Sequence, residues 1–580
     1  MKKALILVAI CIAAILLALG AIGLFSSFRA YGELKNAKNL LYSARDSLEK
    51  QDIKSAAASF AKAQDHFKKA DSQLKTHKIS IGFLKAIPYA GTQIRAVDRF
   101  IRIGTHLSKA GTLLTGAVRG IPGIDTASTQ DNTSIGTMVD SLTKLGNDLA
   151  PVEQELLSAQ HESRAFKTGW LIGSASRMKR ELDQKLDTTL GSLQKGRKLM
   201  AALPGIMGTE GAPPKNYMVL QQDCYELRAS GGLISTYGIL QCSHDSLKLA
   251  DYQRSDTLSV GLADGQGTPP LPSLGGYPTL RFWDAGWWPD FPETTNVLSK
   301  IWSNNGKAPV DGYIAIDPIA IEYMLERTGP MELPEFGETV TAENLTKLIA
   351  HYWGVDRNVA FLNSLSAHFF QKVTESPRQW FSLGRAFARA LAEKHMLLYF
   401  MDPGVQQSFS ELDWSGEVKQ SDGDYLMAVD SNIGFNTNDF KLNMWVKPKM
   451  SVEVTKQKDS TLLHKVTYTF DNRSDTQEYP LAYKSYLRLY VPAAAVAIAD
   501  PDLVDSGSDS GKHVFSKSVD VPTGKVVTVG FKYVTPACGS ILIQKQSGQV
   551  NLDVNLIFRE GSSIKKKQKV KLSGKARLNY

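Results

Sequence analysis

Asn216-Tyr-Met-Val-Leu-Gln-Gln-Asp-Cys-Tyr-Glu-Leu-Arg-Ala-Ser-Gly-Gly-Leu-Ile-Ser-Thr-Tyr-Gly238 reads as an apolar strand, a charged cluster, a double-glycine turn and a second strand. The cluster holds Asp223, Glu226 and Arg228, and the turn is Gly231-Gly232. Glycine adopts backbone conformations closed to other residues and allows close approach of a ligand. Backbone N–H groups and a guanidinium can then converge on one anion. Arg228 has two readings. It clamps a phosphate or carboxylate bidentately, or it makes a structural ion pair with Glu226 or Asp223 that anchors the turn.

Outward from this stretch the pattern changes in both directions. Pro204–Lys215, rich in Gly and Pro, marks a boundary, and residues 216–415 read as a mixed α/β domain. Strands are expected at Tyr217–Gln222, Ile234–Gln241, Ser246–Asp251 and Gly312–Ile316. Helices are expected at Pro292–Ser303, Pro318–Arg327, Ala342–His351, Asn358–Thr374 and Pro377–Glu393. From residue 424 to 580 short alternating runs, such as Met450–Thr455 and His464–Phe470, are separated by turn residues. That is the pattern of an antiparallel β-sandwich. Residues 29–204 read as an Ala-rich α-helical stalk or bundle. In it Leu34, Ala37, Leu41 and Ala44 repeat at helical spacing, as do Ala56, Phe60, Ala63 and Phe67.

With 580 residues the chain is too long for one core, and about three or four domains are expected. Ala4–Phe28 carries no charge and follows Lys2-Lys3. Such a run is long enough to cross a bilayer, which needs about 20 apolar residues. The alternative is a cleaved signal peptide with Ala18-Leu19-Gly20 as its cleavage site. Residues 1–28 are read as a signal-anchor, giving a single-pass cell-membrane protein with the bulk of the chain extracytoplasmic.

The net charge of +9 is uneven. Arg29–Gly120 holds 17 Lys and Arg against 7 Asp and Glu, and the last 20 residues hold seven bases and no acid. Membrane lipid headgroups and anionic wall polymers are natural partners of such surfaces. Nucleic acid is not expected outside a membrane. The alternative for the stalk is a solvated charged helix face.

Of four cysteines, Cys11 lies in the apolar run. Cys224 and Cys242 lie at the outer ends of the two predicted strands, where a disulfide across the hairpin is one of the open pairings, and Cys538 would be left single. Arg357, near a helix start, is read as a further anion contact or as a capping residue. The cluster Trp283, Asp284, Trp287, Trp288 and Asp290 suits sugar stacking, or else a packed loop over the core. Asp284 and Asp290 could also form a glycosidase pair. His351, His368 and His395 show no metal-ligand spacing.

The segment Tyr225-Glu-Leu-Arg-Ala-Ser-Gly-Gly232 resembles an uncharacterised bacterial family of membrane-anchored proteins known as a domain of unknown function. The resemblance continues through Trp288-Pro-Asp-Phe-Pro292, Val310-Asp-Gly-Tyr-Ile-Ala-Ile-Asp-Pro318, Thr328-Gly-Pro330 and Asn436–Leu442. The family usually has Asn at Asp223 and Phe at Leu233. More remotely, Ala285–Leu333 is similar to the middle of LytR-CpsA-Psr proteins, through Ala285-Gly286, Thr294–Trp302, Val310–Asp317 and Gly329-Pro-Met331. Those proteins transfer glycopolymers from polyprenyl-pyrophosphate carriers to peptidoglycan, using arginines and aspartates around the pyrophosphate. The resemblance implies that Arg228 and Arg357 neutralise the pyrophosphate, with Asp223 or Asp256 aiding the acceptor hydroxyl. Arg254-Ser-Asp-Thr257 resembles the Arg-Ser-Asp-Thr of the same family, one strand late, which implies a rival anion site with Asp256 as ligand of a divalent cation such as Mg2+ bridging the phosphates. Several of that family's arginines have no match here.

The sequence therefore leads to two expectations. One is an envelope protein that binds, and transfers, a phosphate- or pyrophosphate-linked glycopolymer, with Arg228, Asp223 and Asp256 catalytic. Glu226, Gly231, Gly232, Arg254, Arg357, Trp287 and Trp288 would then contact ligand. The other is a non-catalytic scaffold or adhesion protein with a degenerate phosphotransferase-like domain.

Overall fold

The computed structural model describes residues 29–580 apart from 51, 77–87, 120, 122–133, 166–172, 251, 264–278, 355–356, 376–379, 435–441, 475–480 and 499. Residue contacts divide the chain into two compact units. One comprises Met1–Ala212, Ser243–Ser246 and Ser376–Phe381. The other comprises Pro213–Cys242, Leu247–Glu375 and Ser382–Tyr580.

The first unit is helical: α1 (Arg29–Glu49), α2 (Ile53–Thr76), α3 (Pro88–Val118), α4 (Ile135–Asp148), α5 (Ala150–Arg164) and α6 (Gly173–Met207). Its core is the stripe read from the sequence. Leu34, Ala37, Leu41, Ala44 and Leu48 of α1 are buried with Ala56, Phe60, Ala63 and Phe67 of α2. Leu182, Leu186, Leu190 and Leu193 supply the stripe of α6. Small residues let the helices approach closely. The buried Phe60 and Phe67 rings lie over Gly111 and Gly104 of α3. The expected break at Pro204 comes later, because α6 carries Pro204 inside its last turn and ends at Met207. Proline near a helix end costs less than one at mid-helix, as little helix remains beyond it.

The second unit opens with β1 (Lys215–Asp223), β2 (Leu233–Ser243), β3 (Ser246–Leu249) and β4 (Gln253–Arg254). Two short strands follow, β5 (Leu262–Ala263) and β6 (Thr279–Leu280), then α7 (Phe291–Asn304), β7 (Gly312–Ile316) and α8 (Pro318–Thr328). Next come β8 (Met331–Leu333), β9 (Glu338–Val340), α9 (Leu345–Gly354), α10 (Asn358–Glu375), α11 (Trp380–Ala392), β10 (Met396–Phe400) and α12 (Pro403–Glu411). The main sheet runs β10-β7-β1-β2-β3, with β4 on β2. β1 pairs antiparallel with β2 and parallel with β7. β10, an apolar strand absent from the expectation, closes the edge.

The rest is β: β11 (Asp424–Asn432), β12 (Val446–Lys456), β13 (Thr461–Asn472), β14 (Tyr483–Pro492), β15 (Val496–Ala497), β16 (Val504–Asp509), β17 (Lys512–Val521), β18 (Val526–Pro536), β19 (Ser540–Gln544), β20 (Leu552–Glu560), β21 (Ser563–Leu572) and β22 (Lys575–Asn579). They form two six-stranded sheets, β16-β17-β14-β11-β19-β22 and β15-β18-β13-β12-β20-β21. One core lies between them, with Val452, Val466 and Phe531 from one sheet and Leu426, Leu487 and Ile543 from the other.

Three parts of the expected fold class are corrected. The sandwich is mixed rather than antiparallel, because β11 pairs parallel with β19 and β12 with β20. The α/β and β segments are one compact unit rather than separate modules, and Tyr486 of β14 is buried in the core of the α/β part. Among the described residues no helix is long and apolar enough to cross a membrane. The anchor expected over residues 1–28 lies outside the described residues, as does most of Asn436–Leu442.

Candidate functional site

The segment between β1 and β2 is folded into the protein. Asp223 is buried and its carboxylate accepts the Tyr225 N–H at 2.9 Å. Glu226 is buried as well, and its carbonyl accepts the Leu233 N–H at 2.9 Å. Gly231 has φ +134, and a Cβ there would lie 2.2 Å from the Gln222 side chain. A Cβ on Gly232 would lie 2.2 Å from the Asp223 carbonyl oxygen. Both glycines are thus explained by the tightness of the turn against β1.

Arg228 is the centre of this arrangement. Its Nε and Nη2 each lie 3.0 Å from Oδ1 of Asp284. Its Nη1 donates to the carbonyls of Leu227 (3.3 Å) and Asn432 (2.8 Å), with that of Glu226 at 3.5 Å. The ion-pair partner is therefore neither Glu226 nor Asp223. Asp284 sits in the short 3-10 segment Phe282–Trp287, brought under Arg228 by the close approach of Gly286 to Ser230.

The β part answers with matching contacts. The Asn432 N–H donates to the Leu227 carbonyl at 2.9 Å, and the Leu227 N–H to Oδ1 of Asn443 at 3.1 Å. Gln546 Nε2 donates to the carbonyls of Arg228 (3.0 Å) and Asp430 (2.7 Å), while its Oε1 accepts the Asp430 N–H. A second buried arginine, Arg488 of β14, donates to the Trp287 carbonyl at 2.7 Å. Its guanidinium carbon lies 4.1 Å from the centre of the Trp287 ring. Trp287 is stacked on Tyr486 at 5.7 Å.

The segment therefore joins the two parts of the unit. It lies within a match that covers a quarter of the chain. Residues 213–352 match the family described as Protein of unknown function (DUF4012). No curated protein matches the chain, and no solved structure does. The DUF4012 match contains Arg228, Asp284 and Trp287. Their partners Asn432, Arg488 and Gln546 lie beyond it.

The remaining sequence candidates are not gathered around Arg228. Arg254 and Asp256 form a half-exposed pair, Nη2 to Oδ2 at 2.8 Å, at the end of β4. Both Asp256 oxygens face Arg254, which does not fit a carboxylate held on a divalent cation. Among the described residues no group of three or more His, Cys, Asp or Glu is placed to hold a metal ion. Arg357 is exposed and its guanidinium carbon lies over the rings of Phe336 (4.7 Å) and Tyr352 (5.9 Å). Trp288 is half-buried, and its carbonyl accepts from Thr294 at 3.2 Å. Asp290 accepts the Val418 N–H at 2.7 Å, and burial pushes its carboxyl up to about 6. Asp284 is held by Arg228, so the two carboxylates of the supposed glycosidase pair have separate structural partners.

Sequence reading missed three polar groups. Asp430 is fully enclosed and accepts from Ser485 (2.5 Å) and Tyr483 (2.8 Å). Burial pushes its carboxyl up to about 6. Asp317 caps α8 through the Ala320 N–H (3.0 Å) and holds buried His395 at 2.7 Å. Lys545 is buried, donates to the Gln549 carbonyl, and has its ammonium pushed down to about 8 by desolvation. A cavity of about 20 Å³ beside the segment is lined by Cys224, Tyr225, Asp430, Asn443 and Gln549 among others. That space suits about one water molecule.

Proposed function

We propose that this chain is a non-catalytic scaffold or adhesion protein of the cell envelope, whose α/β part is a phosphotransferase-like fold without the transfer chemistry. The observation that carries this reading is the engagement of Arg228. A guanidinium that clamps a pyrophosphate must offer its N–H groups to solvent or ligand. Here Nε, Nη1 and Nη2 are turned to Asp284 and to protein carbonyls, and the side chain is 5 % exposed. Two further observations support it. The cavity beside the segment has room for a water rather than a sugar, and Arg357 and Asp256 are engaged elsewhere.

The envelope location and the partner class are part of the proposal. They rest on the uncharged run Ala4–Phe28 and on the basic C-terminal strands. The partners would be anionic: lipid headgroups, a polyprenyl-pyrophosphate-linked glycan or a wall polymer.

The test is turnover. Full-length protein in detergent is incubated with a polyprenyl-pyrophosphate-linked sugar, with and without Mg2+, and release of the lipid is followed. No turnover is expected. Turnover that disappears in a folded Arg228→Lys variant overturns the reading. Recovery of the protein away from the membrane and wall fractions overturns the location.

A further inference from the structure

β21 reads Ser-Ile-Lys-Lys-Lys-Gln-Lys-Val-Lys-Leu and lies at the edge of its sheet. Side chains alternate between faces of a strand. Lys567, Lys569 and Lys571 therefore share the outer face, and all three are exposed, while Val570 and Leu572 turn inward. Alternate residues of a strand are about 6.8 Å apart, so the ladder spans roughly 14 Å. Lys565 is paired with Glu560 at 3.4 Å and Lys575 with Asp413 at 2.9 Å. Lys567, Lys569 and Lys571 have no ion-pair partner among the described residues.

The register extends this face inward. Asp553 and Asn555 of β20 stand opposite Lys571 and Lys569, with Lys449 and Ser451 of β12 beyond them. Lys465 and Lys532 stand opposite each other on β13 and β18. The acid Glu453 is held by Arg559 at 3.2 Å. Lysines on an edge strand also keep other strands from pairing with it. That role does not account for Lys449, Lys465 and Lys532, which lie on interior strands of the same face.

We propose that this face binds a linear polyanion with a phosphate in each repeat unit, aligned along the Lys567-Lys569-Lys571 ladder. Lysine ammoniums act as point charges for phosphate, and their regular spacing matches a regular anionic polymer. The three cross-strand rows that start at the ladder hold no aromatic side chain. Single-stranded nucleic acid would need such rings for stacking. Ile557 is the one apolar side chain in those rows, which disfavours a bilayer surface. The inference rests on the envelope reading for the source of the polymer, and on the lysine geometry alone for the surface.

The experiment measures binding of labelled poly(glycerol phosphate) and of inorganic polyphosphate to the full-length protein in detergent, across a salt series. Duplex DNA and phosphatidylglycerol vesicles are the comparison ligands. The combined variant Lys567→Gln, Lys569→Gln, Lys571→Gln is expected to weaken binding at least tenfold. The slope of log affinity against log salt should fall by about two to three, near one per lysine removed. Lys62→Gln, Lys68→Gln, Lys69→Gln on α2 removes the same charge elsewhere and should leave both unchanged. Tighter binding of poly(glycerol phosphate) assigns a wall-type polymer, and tighter binding of polyphosphate assigns the free polymer. Equal loss from both triple variants overturns the proposal, as does preference for DNA or vesicles. Self-association of the ladder variant with undiminished polymer binding also overturns it, leaving edge protection as the role of these lysines. Failure here with no turnover in the preceding assay leaves the scaffold reading standing.

Discussion

Arg228 and Asp284 meet at 3.0 Å with each side chain 5 % exposed, and the same guanidinium reaches the Asn432 carbonyl at 2.8 Å. One side chain thereby ties the β1–β2 segment both to the Phe282–Trp287 segment and to β11. Removing one member of a buried pair strands the other charge, at a cost of about 3–5 kcal/mol. Arg228→Ala should lower unfolding free energy by that amount. Arg228→Lys should recover little of it, since an ammonium cannot serve a carboxylate and several carbonyls in a planar fork. Denaturant titration of the full-length protein measures both. Stability of Arg228→Ala within about 0.5 kcal/mol of wild type, the range of ordinary surface substitutions, would contradict the structural role.

Asp430 makes stability pH-dependent. Its folded carboxyl is pushed up to about 6, against about 3.9 in an unfolded chain. The folded state then holds the proton more tightly, so the contribution is favourable at low pH. It is lost as pH rises from about 4 to about 6. Two pH units correspond to roughly 2–3 kcal/mol. Buried His464, pushed down to about 3, works in the opposite sense, losing stability as pH falls below about 6.5. The difference between wild type and Asp430→Asn isolates the first effect. The variant should gain on wild type by about 2 kcal/mol between pH 4 and pH 7, read from unfolding midpoints. A constant difference across that range would show that Asp430 does not titrate there.

Local pattern was legible in the sequence and pairing was not. The Leu34–Leu48 and Ala56–Phe67 stripes, and strand Gly312–Ile316, follow from periodicity, which is a property of neighbours along the chain. Parallel pairing of β11 with β19 and of β12 with β20 joins strands about a hundred residues apart. Alternation in either strand carries no sign of direction or partner. β10, Met-Leu-Leu-Tyr-Phe, is short and apolar, and periodicity cannot separate such a run from the end of a helix. The ion-pair partner of Arg228 was hidden for the same reason. Asp223 and Glu226 are close to Arg228 in sequence, but the partner is Asp284, 56 residues on. Arg228 beside two glycines reads as an anion cradle in the sequence, and only the fold reveals that its guanidinium faces Asp284 and the Asn432 carbonyl.

The two strand cysteines offer a direct check on register. Cys242 stands opposite Lys215 at one end of the β1–β2 hairpin, whereas Cys224 follows the Asp223–Leu233 pair at the other. Eight residues of extended strand separate those ends by about 27 Å, far beyond the roughly 7 Å a disulfide permits. Among the described residues neither Cys224 nor Cys242 is in a disulfide; both are buried, and burial pushes the Cys242 thiol up to about 12. In a Cys11→Ser background, native protein should release about one equivalent of thiol, from half-buried Cys538, and denatured protein three. Dithiothreitol should leave the melting temperature unchanged. A reductant-sensitive melt would place the strands in another register.

In the helical unit, Gly111 and Gly116 of α3 separate packing from propensity. A Cβ on Gly111 would lie 2.5 Å from Cδ1 of the buried Phe60 ring and 2.6 Å from Cγ at its root, so the ring cannot simply swing its far end away. A Cβ on Gly116 would meet nothing within 4 Å. Alanine gains about 1 kcal/mol over glycine in a helix interior, while overpacking a filled core costs about 1–3 kcal/mol. Gly116→Ala should therefore stabilise by about 0.5–1 kcal/mol, and Gly111→Ala should destabilise despite the same propensity gain. Thermal unfolding followed by circular dichroism at 222 nm reads both. If both variants gain stability alike, α3 does not press its glycine face against Phe60, and the close approach of α2 and α3 is refuted.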